Sequence, residues 1–329
     1  MACSTGLAVM LMALLVLDLC HGQGWIAPRD VLAVVLGTPE VDPTASYLVG
    51  TVRGPGALGA VIAGAALGLA GAITQSLLRN PLASPDIIGV NAGASCCVVA
   101  TLVGNGGGGI AAASGLRTGV VGLLGGLVAG GLVVALAWRA GLTARRVVLV
   151  GLGVGAGLQG LTSWLLLQVP AADLSSAMVW LTGSLANVPY ASLGQLGAGV
   201  GACLLLAAAN RGELSLLQLG DLTVRSLGVR LWLAQGVQAL LAVVAAALAC
   251  AVAGPVPFIA FSAPQLAQRA LRSPGPPPLV SAMTGAALLV GADIAARTAL
   301  GTPVPVGLVT AVLGGPVLLW TLMNRSRPA

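Results

Sequence analysis

Residues 52–80 read VRGPGALGAVIAGAALGLAGAITQSLLRN. Between Arg53 and Arg79 no side chain is ionisable, and small and aliphatic residues follow one another without the in-out alternation of a strand. About 20 such residues cross a hydrocarbon core as a helix. A second uninterrupted run, Leu231 to Ala253, has the same character, so a membrane barrel built of alternating strands is excluded. The whole chain agrees. Its 329 residues hold 15 Arg, no Lys and 9 Asp+Glu, with 57% hydrophobic residues, 48 Gly and a mean hydropathy of +1.00. A soluble globule of this length would carry roughly 80 charged side chains. The fold class is an all-α polytopic membrane protein, a single transmembrane domain over 1–329.

Composition also removes most chemistry. A phosphate-cradling loop of the GxxxxGK[ST] type needs a lysine, and there is none, so any ATP is hydrolysed by another subunit. One histidine, His21, allows neither a His-based metal set nor a Ser-His-Asp triad. The six cysteines (Cys3, Cys20, Cys96, Cys97, Cys203, Cys250) sit in apolar stretches without CxxC spacing and read as packing residues. The expectation is no enzyme, no cofactor and no metal. The net charge of +6 comes from single arginines in loops, with no basic block or aromatic platform, so no nucleic-acid partner is expected.

Ten spans are expected: 7–19, 57–77, 87–103, 117–137, 147–168, 191–209, 231–252, a short one at 256–268, 278–297 and 305–323. The first run lacks a basic flank and a small-residue cleavage site, so it reads as a shortened span, with a start placed too late, and not as a signal peptide. A lipidated Cys20 is disfavoured by the preceding Asp18 and Leu19. With both termini in the cytoplasm, eleven arginines lie inside (79, 139, 145, 146, 211, 225, 230, 269, 272, 325, 327) and four outside (29, 53, 117, 297), the expected asymmetry. Glycines four apart, such as Gly64/Gly68 and Gly151/Gly155, predict close helix contacts. Ionisable residues in the spans are nearly confined to Asp18 and Asp293, so a buried proton relay is not expected and a secondary transporter is disfavoured. A non-transporting scaffold fits the composition equally well.

Residues 52–95 decide further, because VRGPGALGAVIAGAALGLAGAITQSLLRNPLASPDIIGVNAGAS resembles the FecCD family of ABC-importer permeases for iron–siderophore, haem and cobalamin. The R-x-P and RNPLA-x-P-x-x-x-G elements carry the resemblance. It continues through WLTGSL (180–185), QLGDLTVRSLGVR (218–230), ADIAAR (292–297) and PVGLVTAVLGGP (305–316). It implies a type II importer fold of ten helices, a second permease subunit as homodimer or heterodimer, two cytoplasmic ABC ATPases, and an extracytoplasmic substrate-binding lipoprotein. A ferric siderophore is the cargo expected from family frequency. Residues 210–230 match the ATPase-coupling loop, with Leu217, Gly220, Asp221, Arg225 and Gly228 as its key positions. Leu214, Leu217, Leu222 and Leu227 would form its apolar side, and Gly220 and Gly228 would end or bend two short helices. Arg53 and Arg297 match arginines that receive acidic side chains of the binding protein, although Asp293, four residues before Arg297, offers it an intrahelical partner. The fifth and tenth helices line the pathway in the family, which singles out Gln159, Thr162, Ser163 and Thr310.

Two departures stand out. The usual R-L-P-R is Arg53-Gly54-Pro55-Gly56 here, without its second arginine, and Gln265 and Gln268 occupy places usually held by His and Arg.

Overall fold

The computed structural model describes residues 2–22, 24–38, 42–104, 115–138, 142–186, 188–298 and 304–323. Every regular element among them is helical: α1 (Ala2–Cys20), α2 (Pro28–Leu36), α3 (Pro43–Tyr47), α4 (Gly54–Leu78), α5 (Val90–Gly104), α6 (Gly115–Ala137), α7 (Ala144–Leu166), α8 (Ala171–Leu181), α9 (Tyr190–Ala209), α10 (Arg211–Leu217), α11 (Asp221–Ser226), α12 (Leu231–Ala253), α13 (Ile259–Leu271), α14 (Pro278–Thr298) and α15 (Val306–Met323). Six stretches are long and apolar enough to cross a membrane, namely the continuous Pro43–Leu78, then α6, α7, α9, α12 and α14; Ser4–Cys20, α5 and part of α15 are shorter apolar helices. With α13 these stand where the ten spans are expected. Five helices are not among those expected spans: α10 and α11 in the 210–230 loop, where two short helices are expected, and α2, α3 and the eleven-residue α8, which are not. Arg139, Arg325 and Arg327, counted above as inside, lie outside the described residues.

Helix α4 is the centre of the bundle. Its buried face runs nearly all round, as expected for a helix wrapped by protein rather than lipid. The neighbours approach backbone to backbone. A methyl group added at Gly64 would lie 2.5 Å from the Gly285 carbonyl oxygen, at Gly68 2.1 Å from that of Ser281, and at Gly71 1.8 Å from that of Ala260. Lipid supplies no hydrophobic drive between spans, so such close van der Waals contact is what holds α4 to α13 and α14. Below Arg53 the chain enters α4 through a π-helical turn, Leu48–Arg53, continuous with α3.

The expected eighth span is α13, thirteen residues or about 20 Å long, too short to cross alone. It starts after Phe258, held at φ 67°, and contains Pro264. Its buried positions run from Ile259 to Ala267, against α4 and α14.

Candidate functional site

A cavity of about 490 Å³ opens along α7 and α15. Its wall on α7 includes Gly151, Gly155 and Gln159, and on α15 Gly307 and Leu308; Pro257, the end of α8, the turn after α4 and the start of α5 also line it. Two glycines let neighbouring backbone form this wall. A methyl at Gly151 would stand 1.8 Å from the Ile87 carbonyl oxygen, and one at Gly307 1.7 Å from that of Thr182. The Gly307 N–H donates to the Gly183 carbonyl at 3.1 Å, tying the start of α15 to the end of α8.

Of the four pathway residues expected from sequence, Gln159 lines the cavity. Ser163 is exposed and donates to the Gln159 carbonyl at 3.0 Å. Thr162 and Thr310 are buried, and their hydroxyls donate within their own helices, to the carbonyls of Leu158 (2.8 Å) and Gly307 (3.0 Å). The structure adds three polar side chains the sequence did not single out, Asp86, Asn91 and Thr182. A 3-10 turn, Pro85–Ile88, presents Asp86, and Ser84 caps that turn. The Ser84 hydroxyl donates to one Asp86 carboxylate oxygen at 2.8 Å and the Asn91 amide donates to the other. Burial within the surrounding protein pushes the Asp86 carboxyl above the usual aspartate range, against the lowering effect of these two bonds, although the residue remains accessible from the cavity.

At the arginine-rich end, α10 and α11 are the two short helices of the 210–230 loop, with Gly220 (φ 100°) between them and Gly228 (φ 76°) after the second. Leu214 and Leu217 are buried, as expected, whereas Leu227 is exposed and Val224 takes the buried place on α11. The Leu222 side chain lies outside the described residues. Asp221 forms an ion pair with Arg79, whose Nε also donates to the Leu217 carbonyl at 2.9 Å. The Gln218 amide donates to the Ser76 hydroxyl at 3.1 Å, so the loop is fastened to the end of α4 at several points. Arg225 is exposed. Gln265 is used within the protein as well. Its amide donates to the Pro81 carbonyl at 2.5 Å, linking α13 to the segment that carries Asp86, and Gln268 donates to Pro274 at 3.2 Å.

At the opposite end Arg53 points inward and is 4% exposed. Its guanidinium donates to the carbonyls of Leu19 (2.8 Å), Cys20 (2.9 Å) and Gly24 (2.7 Å). The last carbonyls of a helix have no partner of their own, and Arg53 satisfies those at the end of α1. Gly22 leaves the space, since a methyl there would lie 2.7 Å from the Arg53 Nε. Arg297 pairs with Asp293 and also stands 3.6 Å from Asp18, which is fully buried; the Arg297 side chain keeps 22% of its surface exposed. Gly56, where the family has its second arginine, lies beneath Arg297, whose Nη2 would be 3.0 Å from an added methyl.

A helical bundle with six membrane-length stretches among the described residues, a cavity along α7 and α15 and a fastened loop at the arginine-rich end is the architecture of a membrane permease. The profile of the FecCD transport family matches residues 10–324, and this chain belongs to that family. It is 37% identical over 307 residues to the ferric enterobactin transport system permease protein FepG of Escherichia coli K12, covering 93% of this chain and 91% of that protein. It is 31% identical over 333 residues to the vitamin B12 import system permease protein BtuC of Escherichia coli K12 / DH10B, covering 98% and 94%. Among solved structures, a metal-chelate type ABC transporter in an inward-facing conformation superposes with a TM-score of 0.84 over 98% of both chains, at 23% sequence identity.

Proposed function

We propose that this chain is the membrane-spanning subunit of an ABC importer for a ferric siderophore, working with a second permease subunit, a cytoplasmic ATPase and an extracytoplasmic binding lipoprotein. The observation that carries this reading is the cavity along α7 and α15, a conduit wall of glycines, apolar side chains and few polar groups. A bulky chelate needs width and weak contacts, because a cargo held tightly at one place does not leave it. The likeness to FepG favours a ferric siderophore among the metal chelates of the family. Both termini are placed in the cytoplasm, with the 210–230 loop facing the ATPase through Arg225 and the outer surface of α10 and α11. At the outer end Arg297 keeps the exposure needed to meet an acidic side chain of the binding protein, and Arg53 supports that surface by fixing the end of α1 beside it.

The test is reconstitution in proteoliposomes with a cognate ATPase and binding protein. Uptake of an iron-55 siderophore complex should require ATP and the binding protein together. Uptake that persists without the ATPase would make the chain a secondary transporter instead.

A further inference from the structure

We propose that Asp86 is a fixed anionic contact on the wall of the translocation cavity, which takes cationic and hydrogen-bond-donating groups of the cargo and holds back anionic ones. The proposal rests on the reading of that cavity as the pathway and names the chemistry the pathway prefers.

Asp86 is the only ionisable side chain among the described residues lining the cavity. No arginine shares the wall to neutralise it, and Arg79, seven residues earlier, is committed to Asp221. The remaining lining is glycine, proline, aliphatic side chains, Asn91, Gln159 and Thr182, none of which carries charge. A single charge between low-dielectric walls therefore sets the sign of the local potential.

The carboxylate is also held in place. Each of its oxygens accepts one bond, from Ser84 or Asn91, and each has a further lone pair to offer a passing donor. Its turn is seated by the contact of Ile87 with Gly151 and by the hydrogen bond from Gln265 to Pro81. An acid serving only to complement the start of α5, at Val90, would act through the helix dipole and need not face the cavity. Asp86 faces it, and two neutral donors favour its ionised form against the upward push of burial.

The consequence for cargo is specific. A chelate that presents a neutral or cationic surface, with amide or ammonium donors, is favoured at this point over one carrying several negative charges.

The experiment reads the potential without requiring transport. A cysteine is placed on α7 by Ala156→Cys, another cavity position. The purified protein is labelled with a cationic trimethylammonium-ethyl or an anionic sulfonato-ethyl methanethiosulfonate, and modification of residue 156 is followed by mass spectrometry. Rates are divided by those of the same reagents with a free thiol. With Asp86 present the cationic reagent should be favoured by about tenfold or more, the scale expected for one unit charge acting on probes of opposite sign across several ångströms. Asp86→Asn should bring the ratio close to that of the free thiol, and Asp86→Glu should keep it. If Asp86→Asn does not purify as a folded protein, Asp86→Ser carries the same comparison. A ratio that is the same in the neutral variant as in the parent overturns the proposal, as does loss of the preference in Asp86→Glu. Because labelling needs neither ATPase nor cargo, failure here leaves the importer reading standing, whereas failure of reconstituted uptake removes the cargo role of Asp86 and leaves only the potential it sets in the cavity.

Discussion

Reversing the charge at one end of the Arg79–Asp221 pair should uncouple the permease from ATP hydrolysis while leaving it folded. The two side chains are 38% and 39% exposed, and an exposed ion pair contributes about 0–1 kcal/mol, so loss of the pair itself should move the melting temperature by no more than about 2 °C. Arg79 is held at φ 47°, a left-handed conformation that aspartate tolerates better than most residues, which makes Arg79→Asp the milder of the available reversals. The same arginine also bonds the Leu217 carbonyl, so its loss frees α10 and α11 from the end of α4 at two points. Stability and coupling are therefore separable. In the complex with its ATPase, Arg79→Asp and Asp221→Arg should each lower binding-protein-stimulated ATP hydrolysis and uptake severalfold. The double variant, with the charges exchanged, should recover much of both. Arg225→Glu, at an exposed position of the same loop, should lower stimulation without recovery by any change at residue 79. Wild-type hydrolysis and uptake in both single reversals would refute the reasoning and leave the loop a passive connector.

Three further outcomes are expected. Arg297→Gln leaves Asp18 and Asp293 buried without their cation and should cost about 3–5 kcal/mol, read as a large drop in melting temperature in detergent, with part of the loss recovered by adding Asp18→Asn. An unchanged melting temperature would release Arg297 from this internal role. Gly71→Ala, whose methyl would meet the Ala260 carbonyl at 1.8 Å, should destabilise by about 1–3 kcal/mol or more, whereas Gly153→Ala, with open space around it, should melt no lower than the parent. Reporter fusions after residues 110, 215 and 329 should read outside, inside and inside; an outside reading at 215 removes the loop from the ATPase.

The long helices were legible because length and apolarity determine a span almost by themselves, and α4, α12 and α14 fall within a few residues of their expected bounds. Helix α8 was not, since eleven residues containing Asp173 and two serines look like a loop between spans. Asp86 escaped notice because it lies between spans rather than in one. The available signal was local, a Ser-Pro-Asp turn with Asn91 five residues on, but only the glycine contact at residue 151 brings that turn to the cavity. Arg53 shows the opposite difficulty. A lone arginine before a span looks free to meet a partner, and its commitment to three carbonyls around the end of α1 depends on a packing of distant segments that sequence spacing does not encode. Gln265 read as the loss of a family feature, yet its amide has a specific acceptor in Pro81.

The contact of α4 with α13 and α14 limits how the molecule can move. At Gly64, Gly68 and Gly71 the helices meet through main-chain atoms, so no side-chain rotamers lie between them that could exchange to permit a second register. That seam behaves as a weld, and the helices on either side of it travel as one body. Helix α7 shares such a main-chain contact only at Gly151, against Ile87; 17% of its central stretch is buried against 78% for the stretch containing α4, and Gly153, Gly155, Gly157 and Gly160 face open space. Beyond its anchor at Gly151, the α7 side of the cavity is the part of the molecule that a tilt could displace while the α4 seam stays intact.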